Sequence, residues 1–298
     1  MHVGLIEWVA VGLVALLALL AGSVALAWRA STALLRRRAP DSPIEPAALG
    51  LEAEAVSFES RDRHTALRGW WIAAPHAKGT VVVCSGQRGS LDGDLPVFGP
   101  LLHEAGYNTL FFDWRAHGRS DGEFVSFGVY EKEDLLGALD FLGARGVTRV
   151  GLLGLSMGGS VALIAAALTE RVAAVVCDSL PVHIQNALTG YVVARGVPRL
   201  LADIGARLVL VIASFRVGGN LFHTDAWRWA PHVGATPVLL IHGDRDPLVS
   251  VDEIERVFTL LPGPKVLWRV PTAGHREAYS ARPEEYTRRV LAWFDEHL

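Results

Sequence analysis

Cysteine is nearly absent: Cys84 and Cys177 are the two thiols in 298 residues. Both sit inside apolar runs, which excludes a disulfide framework and reads as buried free thiols. An excess of charge of either sign is also missing. The net charge is −3, so the chain carries no electrostatic footprint for nucleic acid. There is no Cys-x-x-Cys, no His-Glu-x-x-His, no P-loop and no Gly-x-Gly-x-x-Gly behind a strand. The common zinc, nucleotide and dinucleotide signatures are therefore missing, and neither a metal nor a cofactor is expected. No repeat period argues for a solenoid or propeller. Charged residues make up 20% of the chain and hydrophobic ones 51%, a balance that excludes wholesale disorder and supplies a large core.

One long uncharged run is present. Residues 9–27 are dominated by Leu, Ala and Val, with Trp8 and Trp28 at the two ends. As a helix they rise about 28 Å, close to the hydrocarbon thickness of a bilayer, and interfacial aromatics favour those end positions. Arg29, Arg36, Arg37 and Arg38 follow the run, whereas only His2 and Glu7 precede it. Residues 1–28 therefore read as a single-pass membrane anchor, with the arginine side, and the domain behind it, cytoplasmic. Ala25-Leu26-Ala27 also reads as a signal-cleavage site, the alternative being a secreted or periplasmic protein; the lack of a positively charged start counts against it. Residues 29–52, with Pro40, Pro43 and Pro46, read as a basic, proline-rich linker.

From residue 53 to 298 short apolar strands alternate with helical patterns. Strands are expected at 53–60, 66–74, 80–84, 108–112, 172–177, 238–242 and 266–270, and helices at 96–105, 130–142, 251–260 and 284–297. Such alternation implies an α/β domain, a mostly parallel central sheet with helices on both faces. Residues 180–235 break the rhythm and are longer than an ordinary crossover. Their apolar helical stretches read as a helical lid inserted over a site.

The chain is organised around residues 149–168. An apolar run ends at Gly154-Leu155-Ser156-Met157-Gly158 and continues as an alanine-rich helical stretch. Strand, sharp turn and helix are the setting of a nucleophile elbow, and Gly154 and Gly158 let strand and helix pass closely. The pentapeptide alone is weak evidence and needs partners. Serine requires a base to take its proton, neutral imidazole suits that task, and a carboxylate behind the imidazole fixes its tautomer. Asp246, in Gly243-Asp244-Arg245-Asp246, and His275, in Ala273-Gly274-His275, follow later strands. Loops at the carboxyl ends of parallel strands gather functional groups.

The order Ser156, Asp246, His275 is that of one fold among those bearing such a triad. With the Asp113-to-Ser120 loop and the run from His242 to Val249, it resembles the α/β-hydrolase family over residues 53 to 298. It is most similar to the serine aminopeptidase-like and monoacylglycerol-lipase-like branch. The resemblance implies Ser156 as nucleophile, His275 as general base and Asp246 as the carboxylate that orients it. Asp244 competes for the last role, but the family's acid lies three residues after the glycine, here Gly243, and Asp244 is expected to brace the turn. His242 is expected to hydrogen-bond in the core, and His117 lies in a loop that is structural in the family. The oxyanion is expected to meet the backbone N–H of Met157 and of Gln87. Many members have His-Gly before the latter donor, whereas this chain has Ser85-Gly86.

The function expected is a membrane-anchored serine hydrolase cleaving a carboxylic ester through an acyl-enzyme. The anchor and the apolar lid favour a lipid-like or otherwise apolar ester. A peptidase or amidase would use the same triad. A binding-only member of the fold is the remaining class. Dehalogenase and epoxide-hydrolase chemistry needs a carboxylate at position 156 and is disfavoured. The partners expected are the ester substrate and, through the N-terminal helix, a membrane, with no nucleic acid.

Overall fold

The computed structural model describes residues 4–298. Eight strands form one sheet in the order β1-β2-β4-β3-β5-β6-β7-β8. They are β1 (Glu54–Glu59), β2 (Ala66–Ile72), β3 (Gly79–Cys84), β4 (Tyr107–Phe112), β5 (Val150–Leu155), β6 (Val172–Asp178), β7 (Val238–Gly243) and β8 (Lys265–Val270). The pairs β1–β2 and β2–β4 are antiparallel, and all others are parallel. Burial follows position in the sheet. Edge strand β1 alternates exposed and buried residues, while β5, β6 and β7 are buried throughout, because helices cover both faces of the parallel part.

The helices are α1 (Leu5–Leu35), α2 (Leu91–Glu104), α3 (Glu131–Ala144), α4 (Met157–Leu168), α5 (Ile184–Val193), α6 (Arg199–Val217), α7 (Ala226–Trp229), α8 (Val251–Leu260), α9 (Ala278–Ala281) and α10 (Pro283–His297). The two-residue period of the strands sorts the core into two layers. Val81, Val83, Phe111, Leu153 and Leu155 pack with α2 and α10. Val82, Cys84, Leu110, Phe112 and Leu152 pack with α3, α4 and α8. Both cysteines are free and fully buried, and burial pushes both thiols above their usual range.

Helix α2 begins at Leu91 rather than at Pro96. Ser90 stands at its N-cap, Asp92 and Asp94 occupy the first turn, and the carboxylate of Asp113 accepts the Leu91 N–H at 2.8 Å. Pro96 is thus accommodated in the second turn instead of starting the helix. Helix α8 matches the expected span, held at its start by a reciprocal cap between Ser250 and Glu253.

The N-terminal stretch is tied to the domain. Of residues 1–28, the first three lie outside the described residues. Helix α1 runs on past Trp28 to Leu35 because no breaker precedes Pro40, and Ala27, Ser31 and Leu35, one face over two turns, are buried where it packs on α6. Beyond it the chain is fastened to the domain. Arg36 bridges Phe124, the Arg38 N–H donates to the Ala116 carbonyl at 2.7 Å, and Asp41 accepts from the Ser90 N–H at 2.8 Å. Pro46–Leu49 is a short 3₁₀ turn, and Leu51 joins the core under α2.

Candidate active site

Ser156 stands between β5 and α4 with φ 53° and ψ −119°, a strained backbone for a residue with a Cβ. Two close approaches hold the turn. A Cβ on Gly154 would lie 2.6 Å from the Gly158 carbonyl oxygen, and one on Gly158 would lie 1.9 Å from the Cys84 carbonyl oxygen. Neither position accepts a side chain unless strand and helix separate. The Ser156 N–H donates to the Asp178 carbonyl at 2.8 Å, tying the turn to the end of β6.

His275 and Asp246 reach the same point from the loops after β8 and β7. The Ser156 Oγ lies 2.8 Å from His275 Nε2, and His275 Nδ1 lies 2.7 Å from Asp246 Oδ2. The Asp246 side chain is fully buried, and its other oxygen accepts the N–H groups of Leu248 at 2.8 Å and Val249 at 3.2 Å. One carboxylate therefore shapes its own turn with Oδ1 and meets the imidazole with Oδ2. The two loops also hold each other: the Arg245 N–H donates to the Ala273 carbonyl at 2.9 Å, and a Cβ on Gly243 would lie 2.4 Å from that same oxygen.

The competing groups lie apart from this chain of contacts. Asp244 makes a two-pronged pair with Arg269, at 2.9 and 3.0 Å, and the guanidinium holds its carboxyl below the usual range. His117 faces two carbonyls, of Arg115 and Gln87, each at 2.9 Å. His242 corrects an expectation: neither of its ring nitrogens has a hydrogen-bond partner, although the residue is fully buried. The backbone groups beside it are committed to the β7–β8 ladder, where it pairs with Arg269. Burial holds its pKa below the ordinary value.

The loop after β3 approaches the elbow from the other side. A Cβ on Gly86 would lie 3.5 Å from the Ser156 Cβ and 3.2 Å from an Arg276 guanidinium nitrogen. The Gln87 carbonyl is engaged by His117, and its side-chain amide lies against the Arg38 guanidinium. Among the described residues, the N–H groups of Met157 and Gln87 donate neither to a backbone carbonyl nor to a side chain. Helix α5 crosses above both loops. Arg88 stacks 4.4 Å from the centre of the Tyr191 ring, and a Cβ on Gly190 would lie 2.2 Å from the Pro247 carbonyl oxygen.

A second set of polar groups, unread in the sequence, supports the histidine loop. The Ser179 hydroxyl donates to Asp178 Oδ1 at 2.9 Å and accepts the Arg276 N–H at 2.7 Å. The Tyr286 hydroxyl donates to the other Asp178 oxygen at 3.1 Å, and the Arg276 side chain pairs with Asp94. Burial raises the Asp178 carboxyl, opposed by its hydrogen bonds and the nearby arginine. The one sequence signal was the polar pair Asp178-Ser179 closing an otherwise apolar strand; nothing marked Arg276.

The fold and this geometry define the class. A sequence model of the α/β-hydrolase fold matches residues 79–196, from β3 through the elbow to just past α5. Among solved structures, the chain is similar to the esterase Pf2001 of Pyrococcus furiosus, with 26% identity and a TM-score of 0.71, covering 88% of this chain and 99% of that one. An esterase of Exiguobacterium antarcticum, 19% identical, shares the fold over 80% of this chain and 99% of its own, with a TM-score of 0.61. Among sequences, the uncharacterized protein YqkD of Bacillus subtilis is 27% identical over 77% of this chain and 75% of its own length. The protein has the α/β-hydrolase fold, and these likenesses support its place in that family. Its esterase neighbours support hydrolase activity.

Proposed function

We propose that the protein is a membrane-anchored serine hydrolase that cleaves a carboxylic ester through an acyl-enzyme. The observation that carries this reading is the unbroken hydrogen-bonded chain from Ser156 Oγ through His275 to Asp246. His275 Nε2 takes the serine proton as Oγ attacks the ester carbonyl. Asp246 holds the proton on Nδ1, which leaves Nε2 free to accept, and stabilises the imidazolium that forms. The tetrahedral oxyanion is met by the N–H groups of Met157 and Gln87, one at the N-terminus of α4 and one in the loop beside it. His275 then gives its proton to the departing alcohol, and water repeats the sequence on the acyl-enzyme.

Residues 180–235 act as a lid, α5 roofing the site between the loops that carry Gln87 and Asp246. The length and exposed apolar surface of α1 support the anchor. Helix Leu5–Leu35 has no charged residue between Trp8 and Trp28, and the arginines behind it support a cytoplasmic domain. Replacement Ser156→Ala is expected to abolish turnover of a short p-nitrophenyl ester in the full-length protein, and with it labelling by a fluorophosphonate. Undiminished turnover in that variant would overturn the assignment.

A further inference from the structure

Outside α1, the exposed large apolar side chains among the described residues are Leu168, Val266 and a set confined to 197–215. That set is Val197, Leu200, Leu201, Ile204, Val211 and Phe215, and Phe215 is 83% and Leu200 73% exposed. The last five lie on α6. At about 100° per residue they fall, with the half-buried Leu208, in one arc about 100° wide that holds no charged residue. The inward arc of the same helix is Ala202, Ala206, Leu210, Ala213 and Val217, all buried. Helix α6 is thus apolar on two sides, one packed on the protein and one bare. A patch of that kind on a soluble surface marks an interaction site.

We infer that the outer face of α6 lies in the membrane interface, so that the lid as well as α1 is seated on the bilayer. The inference rests on the reading of α1 as the anchor. Three observations choose the bilayer as occupant. First, α6 packs against α1. Arg216 donates to the Ser31 and Thr32 hydroxyls at 2.8 and 2.7 Å, and its guanidinium stacks 4.7 Å from the centre of the Trp28 ring. Trp28 is the aromatic at the domain-side end of the uncharged run, so a spanning α1 brings α6 to the level of the membrane surface.

Second, the charges on α6 suit anionic headgroups. Arg207 and Arg216 stand on the two sides of the apolar arc, and Arg199 is exposed at the start of the helix. The helix has one acid, Asp203, and it is turned toward α5, accepting from Gln185 at 2.9 Å and Thr189 at 3.2 Å. Third, the bare face is aliphatic and aromatic along the length of the helix with basic residues at its margin, the pattern of a helix lying in the interface plane.

The test uses the full chain in vesicles of phosphatidylcholine and phosphatidylglycerol. Single cysteines are placed by Val14→Cys in α1, Ile204→Cys and Phe215→Cys in α6, and Ala292→Cys on the exposed side of α10, each labelled with the polarity-sensitive dye NBD. Native Cys84 and Cys177 are fully buried and stay unlabelled. A nitroxide on the lipid acyl chain is expected to quench the dye at 14, 204 and 215 and to leave it bright at 292. Quenching at 14 with 204 and 215 open to aqueous iodide overturns the inference and leaves the anchor standing. No quenching at 14 overturns the anchor itself. A blue-shifted dye at 204 and 215 that lipid nitroxide does not reach also overturns the inference, because a second copy of the chain then covers the face.

Discussion

The Arg276 N–H and the Ser179 hydroxyl meet at 2.7 Å, and this contact fastens the loop that carries His275 to the end of β6. The same strand end accepts the Ser156 N–H through the Asp178 carbonyl. Two of the three proposed triad residues are thereby referenced to one rigid point, although they are 119 residues apart in sequence.

Loss of that hydroxyl is expected to disturb placement rather than binding. Ser179→Ala leaves the Arg276 N–H, next to His275, without its acceptor. A fall in kcat of about tenfold, equivalent to about 1.4 kcal/mol, is expected with little change in KM. Steady-state kinetics on a short p-nitrophenyl ester check it. An unchanged kcat shows that the loop is held without this contact.

Asp246→Asn separates the two tasks of the carboxylate. The retained Oδ1 can still accept from Leu248 and Val249, so the turn survives, while the new amide presents a donor to His275 Nδ1 and favours the wrong tautomer. The expected outcome is a kcat lower by about 10³- to 10⁴-fold in a folded protein. Thermal unfolding and kinetics measured side by side test the pair of claims. Full activity in the asparagine variant would assign the orienting role elsewhere, and Asp244→Asn, which breaks the pair with Arg269, is expected to keep its turnover.

His242 sets a pH dependence of stability. Burial holds its imidazole below its ordinary 6.5, so as pH falls below 6.5 the unfolded chain takes up a proton that the folded chain refuses. Stability attributable to this residue is therefore whole above pH 6.5 and is lost as pH falls from there through the depressed folded value. His242→Leu removes the titration and two unpartnered nitrogens, and is expected to gain about 1 kcal/mol near neutrality with a flatter slope on the acid side. Urea unfolding in detergent at several pH values measures both. An identical acid slope in variant and parent would show that His242 is not the group responsible.

The sequence by itself determined the class of fold, because its signals are local. Runs such as Val81-Val82-Val83 are apolar at every position, as only a strand covered on both faces needs, and the helix at 251–260 shows its period over its whole length. The elbow was legible for the same reason: Gly154 meets the Gly158 backbone across the single turn that holds Ser156. Where local signals conflicted, the boundary moved, as at Pro96.

Tertiary structure decided what depends on residues far apart in sequence. Asp244 and Asp246 both follow β7, and only the packed loops send one to Arg269 and the other to His275. Ser179, Arg276 and Asp94 meet around the site from three separate elements, so no spacing announced them. His242 lost its expected hydrogen bonds because the sheet had already taken the neighbouring backbone groups. The stretch behind Trp28 reads as a linker from its arginines and prolines. Its first residues, to Leu35, continue α1 against α6, while residues 37–45 run without helix as their prolines require and are fastened to the domain by contacts that composition cannot reveal.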